Sequence, residues 1–544
     1  MKSITRSVLR ASIFALLFSA GGGVSADTAA GANSLFVRAV EGWQSVEQIA
    51  GNDTASARRK LERLKEVSAA IDSIIADHSG SELAVKLIIG ETVGPLSVPM
   101  LKETVREAEL KLQLSECADE PTSSCIIDLA VSIVRDMSGD SSFYYIKDIA
   151  ISQAQAGLYN ESLKTARSIP DRKVQENALS QISIKMAETG DLDQALNLAS
   201  GLSIGSAASQ AYSAIVSSKI ELGKFGDAER LFEKIEDNQA RRDVLIEYAK
   251  ALASKGQMET SMDLLTRIDD VYRSAAMKDI FEIQVSEGDY ESAWETADNI
   301  PDDSYRCQAV VRFGIATDDR EIIDRIIEST LNMEDGFHKE ICFRTIGIQA
   351  NRSSFLGEAR RLVAERGGLS IWHAVKDELE AGLFEDAYRT ALTYTSDSSR
   401  SNSLAMVAKE AASAGHMDFA ERILAELQPE DEASVRGKLW SIDGRAEHVS
   451  RLWKIANDST AEWLPGEPEV RSFISSVDNI ERMAEATEIA RKIPSQALRE
   501  GAISSISAEY AKAGKFSEAL SSLKLIREPY KLTESLLDVA AEMN

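Results

Sequence analysis

Glycine recurs in this chain with a fixed period, and a fixed period admits few folds. Gly157, Gly190, Gly223 and Gly256 stand 33 residues apart, Gly288 follows after 32, Gly382 and Gly415 are again 33 apart, and Gly514 lies three such periods beyond Gly415. The same chemistry returns around each one. Eleven residues earlier stand Ile146, Leu179, Tyr212, Leu245, Met277, Leu404 and Ile503; eight earlier, Ile149, Ile182, Ile215, Tyr248, Ile280, Val407 and Ile506; three earlier, Ala154, Ala187, Ile220, Ala253, Val285, Ala412 and Ala511. These offsets share one face of a helix. The glycine ends that helix, because a residue at a helix C-terminus often needs φ > 0, which glycine adopts at little cost.

Five residues after the glycine a small side chain opens a second apolar stripe: Ser162, Ala195, Ala228, Ser261, Ala293, Ala387, Ala420 and Ala519. Small residues let two helices approach closely. Several second helices stop at an apolar residue before proline, as in Ser168-Ile169-Pro170, Asn299-Ile300-Pro301 and Lys492-Ile493-Pro494, since proline cannot continue a helix. Each unit is therefore an antiparallel helical hairpin that must stack on its neighbours to bury its apolar face. The expected fold is all-α: an α-α superhelix, or solenoid, of about twelve hairpins of roughly 33 residues with an N-terminal helical cap. The expected divisions are a signal peptide (1–26), an N-terminal helical segment (27–120), repeats (121–440), an irregular repeat region (441–478) and C-terminal repeats (479–544). Between Gly288 and Gly382 the phase drifts, and Asp318-Asp319 and Ser353-Ser354 are the expected turns.

Gly288-Asp289-Tyr290-Glu291-Ser292-Ala293 resembles the inter-helix turn of a tetratricopeptide repeat, and Gly223-Lys224-Phe225-Gly226-Asp227-Ala228 and Gly514-Lys515-Phe516-Ser517-Glu518-Ala519 resemble it equally. The family places a glycine seven residues before this turn, where this chain has Ala150, Ser183, Val216, Ala249, Phe281, Ala408 and Ser507. The period and proline position also depart from the family consensus. The resemblance is thus to divergent TPR-like repeats over about residues 121–544, and it implies a protein-binding scaffold.

Lys2, Arg6 and Arg10 precede an apolar run, 11–20, that ends at Val24-Ser25-Ala26, the pattern of a secretory signal cleaved after Ala26. A periplasmic or secreted protein is expected, with no integral membrane span. The whole chain has a net charge of −26, and without the signal 58 basic residues face 87 acidic ones. Such a surface argues against nucleic acid and favours solubility or basic partners. Four cysteines in an exported chain make disulfides plausible. Cys117 and Cys125 are the preferred pair, separated by a short stretch containing Pro121. Cys307 and Cys342 fall on the first helices of neighbouring hairpins, where pairing and ordinary burial stay open.

No catalytic, cofactor or metal site is expected. His78, His338, His373, His416 and His448 are scattered without HExxH, and no phosphate-binding glycine loop or nucleophile elbow occurs. Ser521-Ser522-Leu523-Lys524 matches SxxK without the companion motifs. Arg241, Arg273, Arg400 and Arg499 each stand fifteen residues before a glycine. They either begin the first helix and pair with acids of the preceding unit or form a ladder facing a partner. Trp440, Trp453 and Trp463 cluster in the irregular region, as padding or as an aromatic partner surface. The leading reading is an exported scaffold for an unknown protein or peptide partner. The rivals are a structural or self-assembling envelope protein, whose amphipathic terminal helix at 531–543 would stack end to end, and a regulatory subunit of an envelope enzyme.

Overall fold

A computed structural model describes residues 26–51, 53–135, 137, 139, 142–203, 205–458 and 467–543. Residues 1–25 of the expected signal and Trp463 lie outside them. Among the described residues the chain is helical and forms no strand. It divides into two compact units, one of residues 26–135 with 510–543 and one of residues 136–509.

The first unit begins with α1 (Ala26–Glu47), α2 (Thr54–Asp77), α3 (Glu82–Ile88), α4 (Val98–Asp119) and α5 (Ser123–Arg135). Asp53, Ser81 and Ser97 cap α2, α3 and α4 by accepting from backbone N–H groups of the first turn, which satisfies donors that a helix start leaves unpaired. Phe36, Leu64, Ile71, Ile74, Leu87 and Leu96 meet in one apolar core. Cys117 at the end of α4 and Cys125 in α5 are bonded across the short turn, with Cα atoms 5.8 Å apart.

The second unit is a succession of hairpins. In order these are α6 (Ser142–Gln155) with α7 (Tyr159–Arg167), α8 (Arg172–Glu188) with α9 (Leu192–Ser200), α10 (Ser206–Glu221) with α11 (Phe225–Phe232), and α12 (Asn238–Ala253) with α13 (Met258–Leu265). Then come α14 (Asp270–Glu287) with α15 (Tyr290–Asp298), α16 (Asp303–Ala316) with α17 (Arg320–Leu331), and α18 (Gly336–Gln349) with α19 (Ser354–Arg366). They are followed by α20 (Gly368–Glu380) with α21 (Phe384–Ala391) and α22 (Asp397–Ser413) with α23 (Met417–Ile423). These are TPR-like helical repeats: each helix packs on its hairpin partner, and most first helices also pack on the first helix of the next hairpin.

One hydrogen-bond pattern closes the hairpins. The N–H after each glycine reaches the carbonyl five residues back: Leu158 to Gln153 (2.8 Å), Asp191 to Met186 (2.8 Å), Asp289 to Gln284 (2.9 Å) and Leu383 to Glu378 (2.8 Å). This is the Schellman closure, and it requires the intervening residue to be left-handed; Gly288 sits at φ 78°. Where the phase drifts the closure survives without glycine. Asp318 takes φ 53° and Asp319 N–H bonds Gly314 O at 2.8 Å. In the following hairpin the left-handed residue is Asn351, also at φ 53°, two residues before the Ser353-Ser354 turn expected from the sequence. Asp and Asn accept this conformation best among residues with a Cβ.

The small residues after the turn lie against their own first helix. Ser162 Oγ donates to Ala150 O at 2.6 Å and Ser261 Oγ to Ala249 O at 2.7 Å. In the drifting units the close approach moves to Gly314 and Gly347, where a Cβ would stand 2.8 Å from Ile323 Cγ1 and 2.6 Å from Leu356 Cδ2.

The irregular region contains α24 (Pro429–Asp443), α25 (Ala446–Asp458), α26 (Glu467–Ser475) and α27 (Met483–Ala490), followed by α28 (Gln496–Lys512). Its main contact is α24 on α26. Gly437 makes it possible, because a Cβ there would lie 2.1 Å from Phe473 O. Trp440 is 1% exposed, its ring 5.6 Å from that of Phe473. It is core, and the expectation that it faces a partner is corrected by that burial.

The last helices are α29 (Phe516–Leu523) and α30 (Pro529–Ala541). They belong to the first unit: α29 packs on α4 and α30 on α5. Leu532, Leu536 and Val539 are buried, as are Ile126, Ile127 and Ala130 of α5. Helix α5 thus covers the apolar face of the terminal helix, and the outer face expected to stack end to end carries Glu534 and Asp538.

Candidate functional site

Links between consecutive hairpins run four or five residues from α7 to α18. At the C-terminus of α19 a single residue, Gly367 at φ 70°, replaces the link, and Gly368 at φ 49° begins α20. Two adjacent left-handed residues suit glycine alone. Across this joint the first helices α18 and α20 hardly touch. A cleft of about 410 Å³ opens beside them, lined by α16 through Gln308, by α18 through Ile341, Arg344, Thr345, Ile348 and Gln349, and by α20 through Asp377 and Glu380 with Ala381 just beyond its end.

Arg344 is the fixed charge of this cleft. It is 8% exposed, with Nε 3.4 Å from Glu340 Oε1 and Nη1 3.3 Å from Asp377 Oδ2. Those separations are ion pairs without hydrogen-bond geometry, and both Arg344 Nη1 and Glu340 Oε1 are buried with no hydrogen-bond partner. Arg366 Nη1 lies 3.6 Å from Glu340 Oε2. Burial raises the Glu340 carboxyl above its ordinary pKa against the pull of Arg344 and Arg366, and it raises Asp377 against Arg344. A second knot adjoins it: Arg360 donates to Thr390 Oγ1 (3.0 Å) and Asp386 Oδ1 (2.9 Å), and Thr390 donates to Glu378 Oε1 (3.1 Å). Burial pushes the Glu378 carboxyl up to about 7. Carboxylates so displaced cluster at functional sites more often than chance allows.

With this geometry in view, no family model matches the chain and no curated protein matches it. Solved structures do. The pentatricopeptide repeat protein PPR10 from maize is 14% identical, covering 94% of this chain and 85% of that one, with a TM-score of 0.24. Ton1535 from Thermococcus onnurineus NA1 is 15% identical, covering 71% and 96% at a TM-score of 0.20. The APC/C hetero-tetramer Cut9-Hcn1 is 10% identical, covering 82% and 99% at 0.20. Scores of this size say nothing about what this chain binds.

The arginines in fixed register are structural clasps in two of four cases. Arg400 Nη1 donates to Tyr394 O at 3.2 Å and Arg499 Nη1 to Ile493 O at 2.8 Å, each joining the first helix to the carbonyl six residues back at the end of the preceding unit. Arg306, Lys339 and Gln175 make the same bond to Ile300, Met333 and Ile169. Arg241 instead pairs with Glu233 of the preceding unit at 3.0 Å and lies over the Phe232 ring. Arg273 pairs with Asp270 and lines a separate groove of about 640 Å³ with Met258, Met262 and Met277. Directly after the arginine of this register, Ser274 Oγ accepts from Asp302 N at 3.0 Å and Ser401 Oγ from Gln428 N at 2.8 Å. Cys307 holds that register after Arg306 and is bonded instead to Cys342 of the next first helix, with Cα atoms 5.8 Å apart.

Trp453 is half-buried with Lys492 Nζ 5.6 Å from its ring. His448 is brought within 3.3 Å of Asp443, and Glu421 completes a group of possible metal ligands. Arg445 bonds both carboxylates, so a guanidinium already supplies their countercharge. Burial holds the His448 imidazole below its ordinary pKa, against Asp443. The residues that sequence reasoning missed are those of the cleft: Gln308, Arg344, Asp377 and Glu380.

Proposed function

We propose that this protein is an exported TPR-like scaffold that holds a protein or peptide partner on its first-helix face, with the cleft between α16, α18 and α20 as the point of attachment. The observation that carries this is a buried arginine, incompletely hydrogen-bonded, opening into a cleft to which three successive first helices contribute. Clefts with apolar walls and a few convergent polar groups are where ligands bind. Two bonded cysteine pairs and the N-terminal signal pattern support a periplasmic or secreted location, because disulfides persist in oxidising compartments. Among the described residues no helix is long and apolar enough to cross a membrane.

The test is site-specific photocrosslinking in cell-envelope extract. A photoreactive residue replaces Gln349 at the cleft or, as control, Asn197 on the exposed side of α9. One partner crosslinked from position 349 and absent from 197, then shown to bind as purified protein, is the expected result. Identical profiles from both positions would overturn the proposed attachment point.

A further inference from the structure

A cleft of this composition selects its occupant by charge. Its lining carries one cation, Arg344, and two carboxylates, Asp377 and Glu380. Glu340, 2% exposed, lies behind Arg344 and shares its charge. Among the described residues, Glu380 pairs with the exposed Lys376 alone, at 3.5 Å. Arg344 is thus divided between Glu340 and Asp377, neither of which it meets with good hydrogen-bond geometry. Burial raises the pKa values of Glu340 and Asp377 despite that arginine. An anionic occupant would take Arg344 from them and add a further negative charge; a cationic one would relieve Asp377 and Glu380 and leave the arginine in place. Among the described residues the amides of Gln308 and Gln349 make no hydrogen bond within the protein, and they offer both donors and acceptors. Ile341 and Ile348 supply apolar wall between them.

We infer that the cleft binds an extended, basic peptide segment, whose lysine or arginine side chain enters between Asp377 and Glu380 while its main chain bonds the amides of Gln308 and Gln349. This rests on the peptide-scaffold reading above and specifies its partner's chemistry. The formal net charge of −26 draws such a segment in at long range, and the cleft fixes its position.

The test is fluorescence anisotropy on the full chain lacking residues 1–26. Three labelled nonapeptides of alanine and glycine carry two central lysines, two glutamines or two glutamates. The lysine peptide is expected to bind about tenfold more tightly than the glutamine peptide, and the glutamate peptide not at all. Asp377→Asn with Glu380→Gln should erase that preference. Glu358→Gln with Glu365→Gln, which removes the same charge from exposed positions on α19, should leave it. Equal losses in the two double variants, or equal binding of the glutamate peptide, would overturn the assignment while leaving peptide binding standing. Failure of all three peptides to bind at millimolar concentration would overturn both.

Discussion

Arg306 shows how a single side chain joins two repeats. Its guanidinium donates to Ile300 O at 3.0 Å across the link, and it pairs with Asp303 in its own first turn. Arg306→Ala leaves a carbonyl near the helix end without that donor and is expected to cost about 1 kcal/mol, less than a buried charged hydrogen bond because the side chain is partly exposed. Arg230→Ala, which removes an exposed pair with Asp227 and a long, exposed hydrogen bond to Gly226 O within the same helical turn, should cost less than about 0.5 kcal/mol. Urea denaturation followed by circular dichroism distinguishes them. Glu378 gives a pH signature. Its folded pKa of about 7 lies above the ordinary glutamate value of 4.5, so the folded state binds the proton more tightly. Stability is then highest below about pH 4.5, falls as pH rises through 7, and levels above it. Burial drives the shift, Asp386 adds to it and Thr390, Arg360 and Arg344 oppose it; it amounts to about 3 kcal/mol. Glu378→Gln should remove this pH dependence; parallel curves for the two proteins between pH 4.5 and 8 would disprove it.

At the level of helices, the closures tolerate a Cβ at two turns, whereas packing contacts exclude it at Gly314, Gly347 and Gly437. Asp318→Gly is expected to stabilise by about 0.5–1 kcal/mol by relieving a left-handed residue. Gly437→Ala is expected to destabilise by about 2–3 kcal/mol, because backbone Phe473 O occupies the space; thermal unfolding of both variants measures the contrast. The hairpins were legible in the sequence because their period, apolar registers and glycines all describe one local unit. The cleft was not, and Asn351 explains why. Counted from Asn351 as the turn residue, Glu340 and Arg344 stand at minus 11 and minus 7, registers filled elsewhere by Leu245 and Ala249 or by Ile503 and Ser507. Two charges in core registers would have marked the site, but with the turn placed at Ser353-Ser354 they fell out of phase. The arginine register was visible, whereas its carbonyl acceptors were not, because a bond to the residue six back depends on the angle of the link. Trp440 likewise carried no sign of burial, since what covers it is Phe473 of a helix across the irregular region.

At the scale of the molecule, the segment that showed no repeat phase is completed from far along the chain. Helices α29 and α30 cover α4 and α5 within one compact unit. Removing residues 514–544 should therefore expose Leu114, Ile126 and Ile127 and loosen residues 98–135, while the hairpins from α6 to α23 keep their structure. Hydrogen exchange resolved by peptide should show protection lost in α4 and α5 and retained in α14. Uniform loss throughout would mean that the hairpins depend on that segment, and no loss would mean that α29 and α30 contribute little.

This arrangement also sets a schedule for biosynthesis. A ribosome adding about 5–20 residues per second needs on the order of 20–80 s to pass from α5 to α29. For that interval the nascent chain carries α4 and α5 without their covering helices, while each local hairpin can close as soon as its own residues emerge. A chaperone acting during synthesis would therefore find its substrate at the amino-terminal end of the chain, although that end is made first.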